Sequence, residues 1–348
     1  MRPSGCLTIC LFLVVMLVVP TLPLFSQAAQ AKTPQIKTQP EFNAYNACFT
    51  EKDLAKKADL CEKFVDDFED SDFLVNGYKL ILQSYYQSHN WKLLMDAADR
   101  VVALPSADSN LKSYAYERAM VAAQNLNNSD KCVTYGDKVL AIDADNLNAL
   151  LTVSTVIAQQ YASDATQLQT AGDMARKALL MVALRMDKAA PQEKPQFVLV
   201  VGALHGTLGL ISYHQKDYKK SIQEFQSAVT DNVKDDGSHF YMAYDYINLM
   251  VQASQENRRR SRQSTMRKLL RQISQPLMSL VGAKRPSFED DIRKYRNTVI
   301  DELAIAVAIN GPYAVQAKRE LTKQWTAKNK SAAGLDEFVN QKKTQVGG

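Results

Sequence analysis

Glycine and proline are scarce in this chain, which has only 13 glycines and 11 prolines in 348 residues. Sandwiches and barrels of β-strands need frequent tight turns, and tight turns draw heavily on these two residues. The chain is instead rich in Ala, Leu, Gln and Lys, which are good helix formers. We therefore predict an all-α fold.

Residues typical of catalytic and metal sites are also few. The four histidines are His89, His205, His214 and His239, and none of them forms an HExxH motif or a zinc-spaced cluster with cysteine. The sequence has no GxSxG elbow, no Walker loop and no GxGxxG motif. It therefore predicts no metal, no cofactor and no enzymatic activity, although a catalytic triad built from distant residues would leave no such motif.

The N-terminus has the pattern of a secretory signal. Arg2 precedes an apolar run over residues 7–19, and Pro20 and Pro23 end this run. Small residues follow, and we predict cleavage after Ala31. The alternative is an uncleaved membrane anchor, which is less favoured because the run is shorter than the ~20 residues of a membrane span. No later segment is predicted to span a bilayer, so we expect an exported protein that is periplasmic or extracellular.

Three of the five cysteines lie outside this signal. They are Cys48, Cys61 and Cys132, an odd number that excludes a closed disulfide framework. Cys48 and Cys61 fall on the two arms of the first predicted helix hairpin, where a disulfide would form in an oxidising compartment. The sequence favours the alternative, in which Cys61 and Cys132 are small buried apolar residues.

Pairs of short helices recur along the chain at nearly regular intervals. The best-formed pair covers residues 204–229, with Leu208-Gly209 on its first arm and Ser221 and Phe225 on its second. A glycine and a small residue let two antiparallel helices approach, and the aromatic ring fills the space beside them. Equivalent second-arm positions are spaced by 37, 38, 39 and 50 residues, at Lys57, Leu94, Cys132, Ala171 and Ser221.

Over residues 41–255 the chain resembles tetratricopeptide-repeat (TPR) proteins. The order Leu208-Gly209, Ser221, Phe225 follows the family's L-G and A-x3-F positions, and residues 142–146 are similar to its I-D-P-D-N linker. His205 stands where the family has tryptophan. The resemblance implies an α-solenoid of antiparallel helix hairpins, wound as a right-handed superhelix, whose first arms line a groove for a peptide or a partner helix.

Four segments follow from this pattern. They are a signal peptide at 1–31, a linker at 32–40, about five to six TPR-like hairpins at 41–281, and a helical C-terminal cap with a frayed tail at 282–348. In a sixth hairpin we predict a first arm over 238–256 and a second arm over 264–280. The tail is expected to fray from Gln341 onwards.

The resemblance also implies where a partner would bind. Six side chains on the first arms of the second and third hairpins form the candidate partner-binding set: Lys79, Gln83, Tyr86, Tyr114, Glu117 and Arg118. The ordered set of Lys, Asn and Arg that some members use to clamp two carboxylates is not evident. The alternative is that tyrosines at helical spacing are core residues with a hydroxyl at the surface.

Positive charge is concentrated in the last part of the chain. Residues 32–257 hold 22 Lys/Arg and 29 Asp/Glu, whereas residues 258–348 hold 19 and 8. The densest run forms a candidate basic surface: Arg258, Arg259, Arg260, Arg262, Arg267, Lys268 and Arg271. Such a run either attracts an anionic partner or is a solvated helix face. Nucleic acid is not favoured for an exported chain.

The sequence therefore predicts an exported, non-enzymatic scaffold or adaptor of the cell envelope that binds another protein or a peptide through a solenoid groove. The alternative is a peripheral envelope protein that attaches to anionic lipid, or to another acidic component, through the basic helix over 258–271. The sequence indicates neither the partner's identity nor the oligomeric state.

Overall fold

The computed structural model describes residues 35–273 and 288–347, without the side chains of 267–273 and 288. All regular secondary structure in these residues is helical, which confirms the predicted all-α class. The described helices, in chain order, are α1 Gln39–Thr50, α2 Leu54–Asp67, α3 Leu74–Gln87, α4 Trp91–Ala103, α5 Ser109–Asn125, α6 Ser129–Ile142, α7 Leu147–Gln160, α8 Ala165–Lys188, α9 Lys194–His214, α10 Tyr218–Asp231, α11 Asp236–Ile273, α12 Phe288–Ile309, α13 Ala314–Asn329 and α14 Leu335–Gln345.

These helices belong to two compact units that divide between Met181 and Val182. In the N-terminal unit, each helix from α1 to α6 packs against the next one in the chain. In the C-terminal unit, α9 packs against α10, α11 against α12, and α12 against both α13 and α14. Each unit is thus a series of hairpins. These hairpins pack against one another, since one hairpin alone cannot bury its own apolar face.

The turns inside three hairpins share one local structure. His89, Asn127 and Lys216 adopt positive φ values of 57°, 55° and 63°, and each is followed directly by Asn or Asp. In two of these turns the following side chain caps the second arm, where Asn128 and Asp217 each accept a hydrogen bond from a backbone amide of the helix. The left-handed residue ends one arm and the cap starts the other, so the chain reverses within a few residues.

Successive second arms are joined side by side in the N-terminal unit. The Arg100 guanidinium on α4 donates to the Glu62 carboxylate on α2, 38 residues earlier. The Tyr135 hydroxyl on α6 donates to Asp99 on α4 at 2.7 Å, 36 residues earlier. These separations bracket the repeat spacings of 37 and 38 read from the sequence. The second arms of neighbouring hairpins therefore stack in the predicted register.

The hairpin of α9 and α10 has the predicted core. Phe225 is 2% exposed, and a Cβ atom added at Gly209 would lie 2.6 Å from its ring. The buried Ser221 hydroxyl donates to the Gly209 carbonyl at 2.9 Å. Only a residue without a side chain fits at position 209, because the helices approach too closely for any other. Gly209 and Phe225 are core residues, as expected.

The prediction that no later segment could span a membrane was wrong for α9. This helix of 21 residues is long and apolar enough to cross a bilayer, by length and composition alone. Of its most apolar window, 56% is buried. Ten of its residues are buried, and the helix packs against α10 and α11. It therefore occupies the position of a core helix within its unit.

The predicted sixth hairpin was also wrong. Residues 236–273 form the single helix α11, where the sequence analysis placed a turn between 256 and 264. The run between these positions is polar but contains neither glycine nor proline, so nothing in it breaks a helix. α11 pairs with α12 instead, through Phe240 and Ala243 against Val299, Ile300 and Leu303.

The described part of the predicted C-terminal cap is helical and consists of α12, α13 and α14, but its end differs from the prediction. The tail predicted to fray from Gln341 stays helical to Gln345. The Lys342 ammonium lies 2.8 Å from the Asp301 carboxylate of α12, and Val346 is buried. This ion pair and this burial hold the tail against its unit. The predicted boundary at 282 lies outside the described residues.

Cys48 and Cys61 form a disulfide between α1 and α2, with their Cα atoms 4.9 Å apart. The expectation that Cys61 is a free buried thiol was therefore wrong, because the first hairpin brings its side chain against Cys48. Cys132 is free and buried, as predicted. The crosslink closes a loop of 13 residues, for which the loss of entropy in the unfolded chain is about 3 kcal/mol.

Alkylation in denaturant should distinguish the three thiols of the mature chain. We expect one of them, Cys132, to react before reduction and all three to react after it, as counted by intact mass. Alkylation of all three without reductant would contradict the disulfide. A Cys48→Ser/Cys61→Ser variant should lose about 2–4 kcal/mol of stability in the N-terminal unit, whereas Cys132→Ser provides a control with the disulfide intact.

Candidate functional site

The candidate partner-binding residues lie on α3 and α5, the first arms of two successive hairpins that also contact each other. On α3, Lys79, Gln83 and Tyr86 follow at helical spacing and so share one face. Lys79 and Gln83 are exposed, and Tyr86 is partly buried. On α5, Tyr114 and Arg118 are one turn apart and both are partly buried.

Three of the six residues come together. The guanidinium carbon of Arg118 lies 4.5 Å from the centre of the Tyr86 ring and 4.8 Å from that of Tyr114. Such cation–π contacts are worth about 0.5–2 kcal/mol each, depending on how far the pair is removed from water. The two rings therefore hold one cation between neighbouring first arms. We call Tyr86, Tyr114 and Arg118 the stacked-arginine cluster.

The Arg118 side chain has an unused hydrogen-bond donor. Its Nε atom is buried and has no acceptor among the residues that the structure describes. By contrast, Arg100 donates to Glu62, and Arg176 donates to Asp173 at 2.6 Å. A buried donor without a partner costs about 1–3 kcal/mol. The cluster therefore holds a charged group whose hydrogen bonding is incomplete.

Glu117 belongs to a different contact. Its carboxylate accepts a hydrogen bond at 3.2 Å from the side-chain amide of Asn148 on α7. Glu117 thus joins the first arms of the third and fourth hairpins, and it forms no ion pair with Arg118. Glu117 lies on a first arm, as predicted, but its contact with Asn148 was not anticipated from the sequence.

Two further aromatic residues border the cluster and were missed. The Trp91 ring lies 5.9 Å from that of Tyr86 and 5.1 Å from that of His89. One signal for them was available, because Trp91 is one of only two tryptophans in the chain and directly follows the turn after α3. An aromatic residue at that point lies beside the end of the first arm.

The candidate basic surface lies on α11. Arg258, Arg259, Arg260 and Arg262 are exposed, as is every other residue from 255 to 266. Arg260 pairs with Glu256 at 2.8 Å on the same helix. The side chains of Arg267, Lys268 and Arg271 lie outside the described residues. Binding of this surface to anionic lipid stays a prediction.

A second buried group was not anticipated from the sequence. Asp245 on α11 is fully buried, and neither of its carboxylate oxygens has a hydrogen-bond donor among the described residues. The hydroxyl of Ser221 lies beside it but donates to Gly209 instead. Burial raises the pKa of Asp245 from 3.8 to about 7.

Two histidines, the partly buried His205 and the buried His239, each connect neighbouring helices. The Nδ1 atom of His205 lies 2.8 Å from the Glu224 carboxylate and links α9 to α10. The Nδ1 atom of His239 lies 2.6 Å from Glu302 and links α11 to α12. Within the described ranges, no group of three or more His, Cys, Asp or Glu side chains is arranged to hold a metal ion.

Comparison with known proteins gives a fold-level likeness. No family model and no curated protein matches the sequence. Among solved structures, MamA residues 41 to the end, from Desulfovibrio magneticus, is 14% identical, with a TM-score of 0.40 over 58% of this chain and 97% of that one. A tetratricopeptide repeat protein from Parabacteroides merdae is 9% identical, with a TM-score of 0.44 over 83% of this chain and 100% of that one.

A third similar structure is YrrB, described as a TPR protein with an unusual peptide-binding site. It is 10% identical to this chain, with a TM-score of 0.43 over 58% of this chain and 90% of that one. Since the three TM-scores are below 0.5, these likenesses carry no argument about what this chain binds.

Proposed function

We propose that this chain is an exported, non-enzymatic scaffold or adaptor that holds an extended segment of another protein against the first arms α3 and α5. One observation carries the proposal, namely the contact of Arg118 with Tyr86 and Tyr114, which joins residues from two successive hairpins. Aromatic rings and an arginine supply the largest binding contributions in most protein interfaces. Lys79 and Gln83 extend the same α3 face towards its N-terminus.

The mechanism is preorganisation. Tyr86 and Tyr114 fix the Arg118 side chain before any partner arrives, so its rotamer entropy is already lost in the free protein. The arms themselves are held by neighbouring helices, as the bond between Glu117 and Asn148 illustrates. A partner segment is then ordered against a surface that changes little.

Export is the second part of the proposal. The predicted signal at 1–31 lies outside the described residues, so its support comes from the mature chain. The disulfide between Cys48 and Cys61 persists in oxidising compartments and is rare in reducing ones. We therefore propose that the protein lies in the periplasm or outside the cell, where its first hairpin stays crosslinked.

A peptide array tests the binding surface. The mature chain, residues 32–348, should bind a subset of peptides, and Lys79→Ala/Gln83→Ala/Tyr114→Ala should weaken that binding at least about tenfold, since each lost contact removes part of the central interface. The matched control is Lys92→Ala/Leu93→Ala/Asp96→Ala, three exposed positions on the second arm α4. Equal loss in both variants, or no bound peptide at all, would contradict the proposal.

A further inference from the structure

We infer that Arg118 is the receptor for one carboxylate group of the bound segment, carried either by an acidic side chain or by the C-terminus. This inference rests on the proposed function and names the chemistry that the stacked-arginine cluster recognises. It concerns a single carboxylate at a single guanidinium.

The geometry of the cluster limits what can reach the cation. The guanidinium lies over the rings of Tyr86 and Tyr114, at 4.5 and 4.8 Å from their centres. The two rings lie against the guanidinium, so a ligand approaches it along the edges that carry the N–H groups. A carboxylate fits such an edge, because its two oxygens accept two parallel N–H bonds in the plane of the guanidinium.

The side chain of Arg118 is partly exposed, although its Nε atom is buried. No acceptor for the buried Nε atom and no ion pair of Arg118 occur in the part of the chain that the structure describes. The adjacent carboxylate of Glu117 is bound by Asn148 instead. Because the Nε atom is buried, an incoming carboxylate would bond the terminal Nη edge of this partly exposed side chain, and hydrogen bonds to charged groups are the stronger kind.

Arg100 shows the arrangement that Arg118 lacks. Its guanidinium is already bonded to the Glu62 carboxylate within the same unit. An arginine with a structural role is satisfied in this way by its own chain. Arg118 has the aromatic support of a fixed cation but no anionic partner among the described residues, which is the expected state of a binding residue without its ligand.

Nuclear magnetic resonance of the arginine Nε–H groups tests the inference on the ¹⁵N-labelled mature chain. Three acetylated peptides serve as probes: one with glutamate and an amidated end, one of glycines with a free C-terminal carboxylate, and one with glutamine and an amidated end. We expect a saturable shift of the Arg118 signal with the first probe, the second or both, and none with the third. The Arg100 signal should stay unmoved as an internal control.

The Arg118→Lys variant lacks the Arg118 Nε–H group, so the signal missing from its spectrum is that of Arg118. The variant also tests whether binding needs the planar guanidinium. It keeps the positive charge but offers no bidentate edge, so the same peptide should bind about tenfold more weakly, followed through the α5 amides. An equal response to the glutamine peptide, no response to any probe, or unchanged affinity in Arg118→Lys would overturn the inference.

The two proposals fail separately. Peptide binding to the array that depends on Lys79, Gln83 and Tyr114, together with a silent Arg118 signal, would leave the proposed function standing and remove the carboxylate. A carboxylate-specific response of Arg118 without any array binding would remove the proposed function and leave carboxylate recognition by Arg118 standing.

Discussion

Replacing Phe225 by alanine should destabilise the C-terminal unit by about 3–5 kcal/mol, the usual cost of removing a buried aromatic side chain. Phe225 is 2% exposed, its ring fills the space beside Gly209, and it stacks on Tyr241 with centroids 6.0 Å apart. The alanine would leave a cavity between α9, α10 and α11 that these helices cannot close without moving. Amide hydrogen exchange in α9 and α10 would report the lost free energy directly.

Leu199→Ala provides the matched control for this substitution. Leu199 also lies on α9, but 43% of its side chain is exposed. Its removal should change the same exchange rates by less than about 1 kcal/mol, because surface substitutions are usually small in effect. Similar losses in both variants would mean that Phe225 does not fill the centre of this hairpin.

The second large effect is expected at Asp245 and depends on pH. Burial raises the pKa of this carboxyl in the folded protein to about 7, from 3.8. Between these two values the native state binds more protons than the unfolded chain, so stability falls as pH rises from about 4 to about 7. Above pH 7 the folded protein holds a buried charge to which no described residue donates a hydrogen bond.

Asp245→Asn removes that charge with little change of shape. At pH 8 the variant should be more stable than the natural chain by about 2–4 kcal/mol, since one pKa unit corresponds to about 1.4 kcal/mol. At pH 4 the two proteins should differ little. Urea unfolding at both pH values measures the difference, and Asp291→Asn, at an exposed position on α12, is the control. An advantage of the variant over the natural chain that is no larger at pH 8 than at pH 4 would contradict this account.

The sequence was sufficient to predict the hairpins, because the residues that determine them lie close together in the chain. Turns such as His89-Asn90 and Lys216-Asp217 interrupt the helical period, and the small and aromatic residues of α9 and α10 mark the faces that meet. The same logic misplaced the break in α11. There a polar run was interpreted as a turn, although helix-compatible residues such as Arg258 continue the helix into solvent.

The sequence predicted which helix arms carry the candidate residues, but not which of these residues touch one another. Tyr86 and Arg118 are 32 positions apart, and their meeting depends on how neighbouring first arms align. The missing acceptor of Arg118 and the isolation of Asp245 are properties of burial, which arises only when all the helices are packed. The disulfide was left open for the same reason, since spacing alone did not show whether Cys48 faces Cys61.

Hydrogen exchange of the mature chain with and without its tightest array peptide tests the central claim most directly. The account predicts slower exchange along the first arms α3 and α5 around Tyr86 and Arg118, with little change along the second arms α4 and α6. Protection confined to α4 and α6, or to residues 255–266 of α11, would place the binding surface elsewhere and contradict the account.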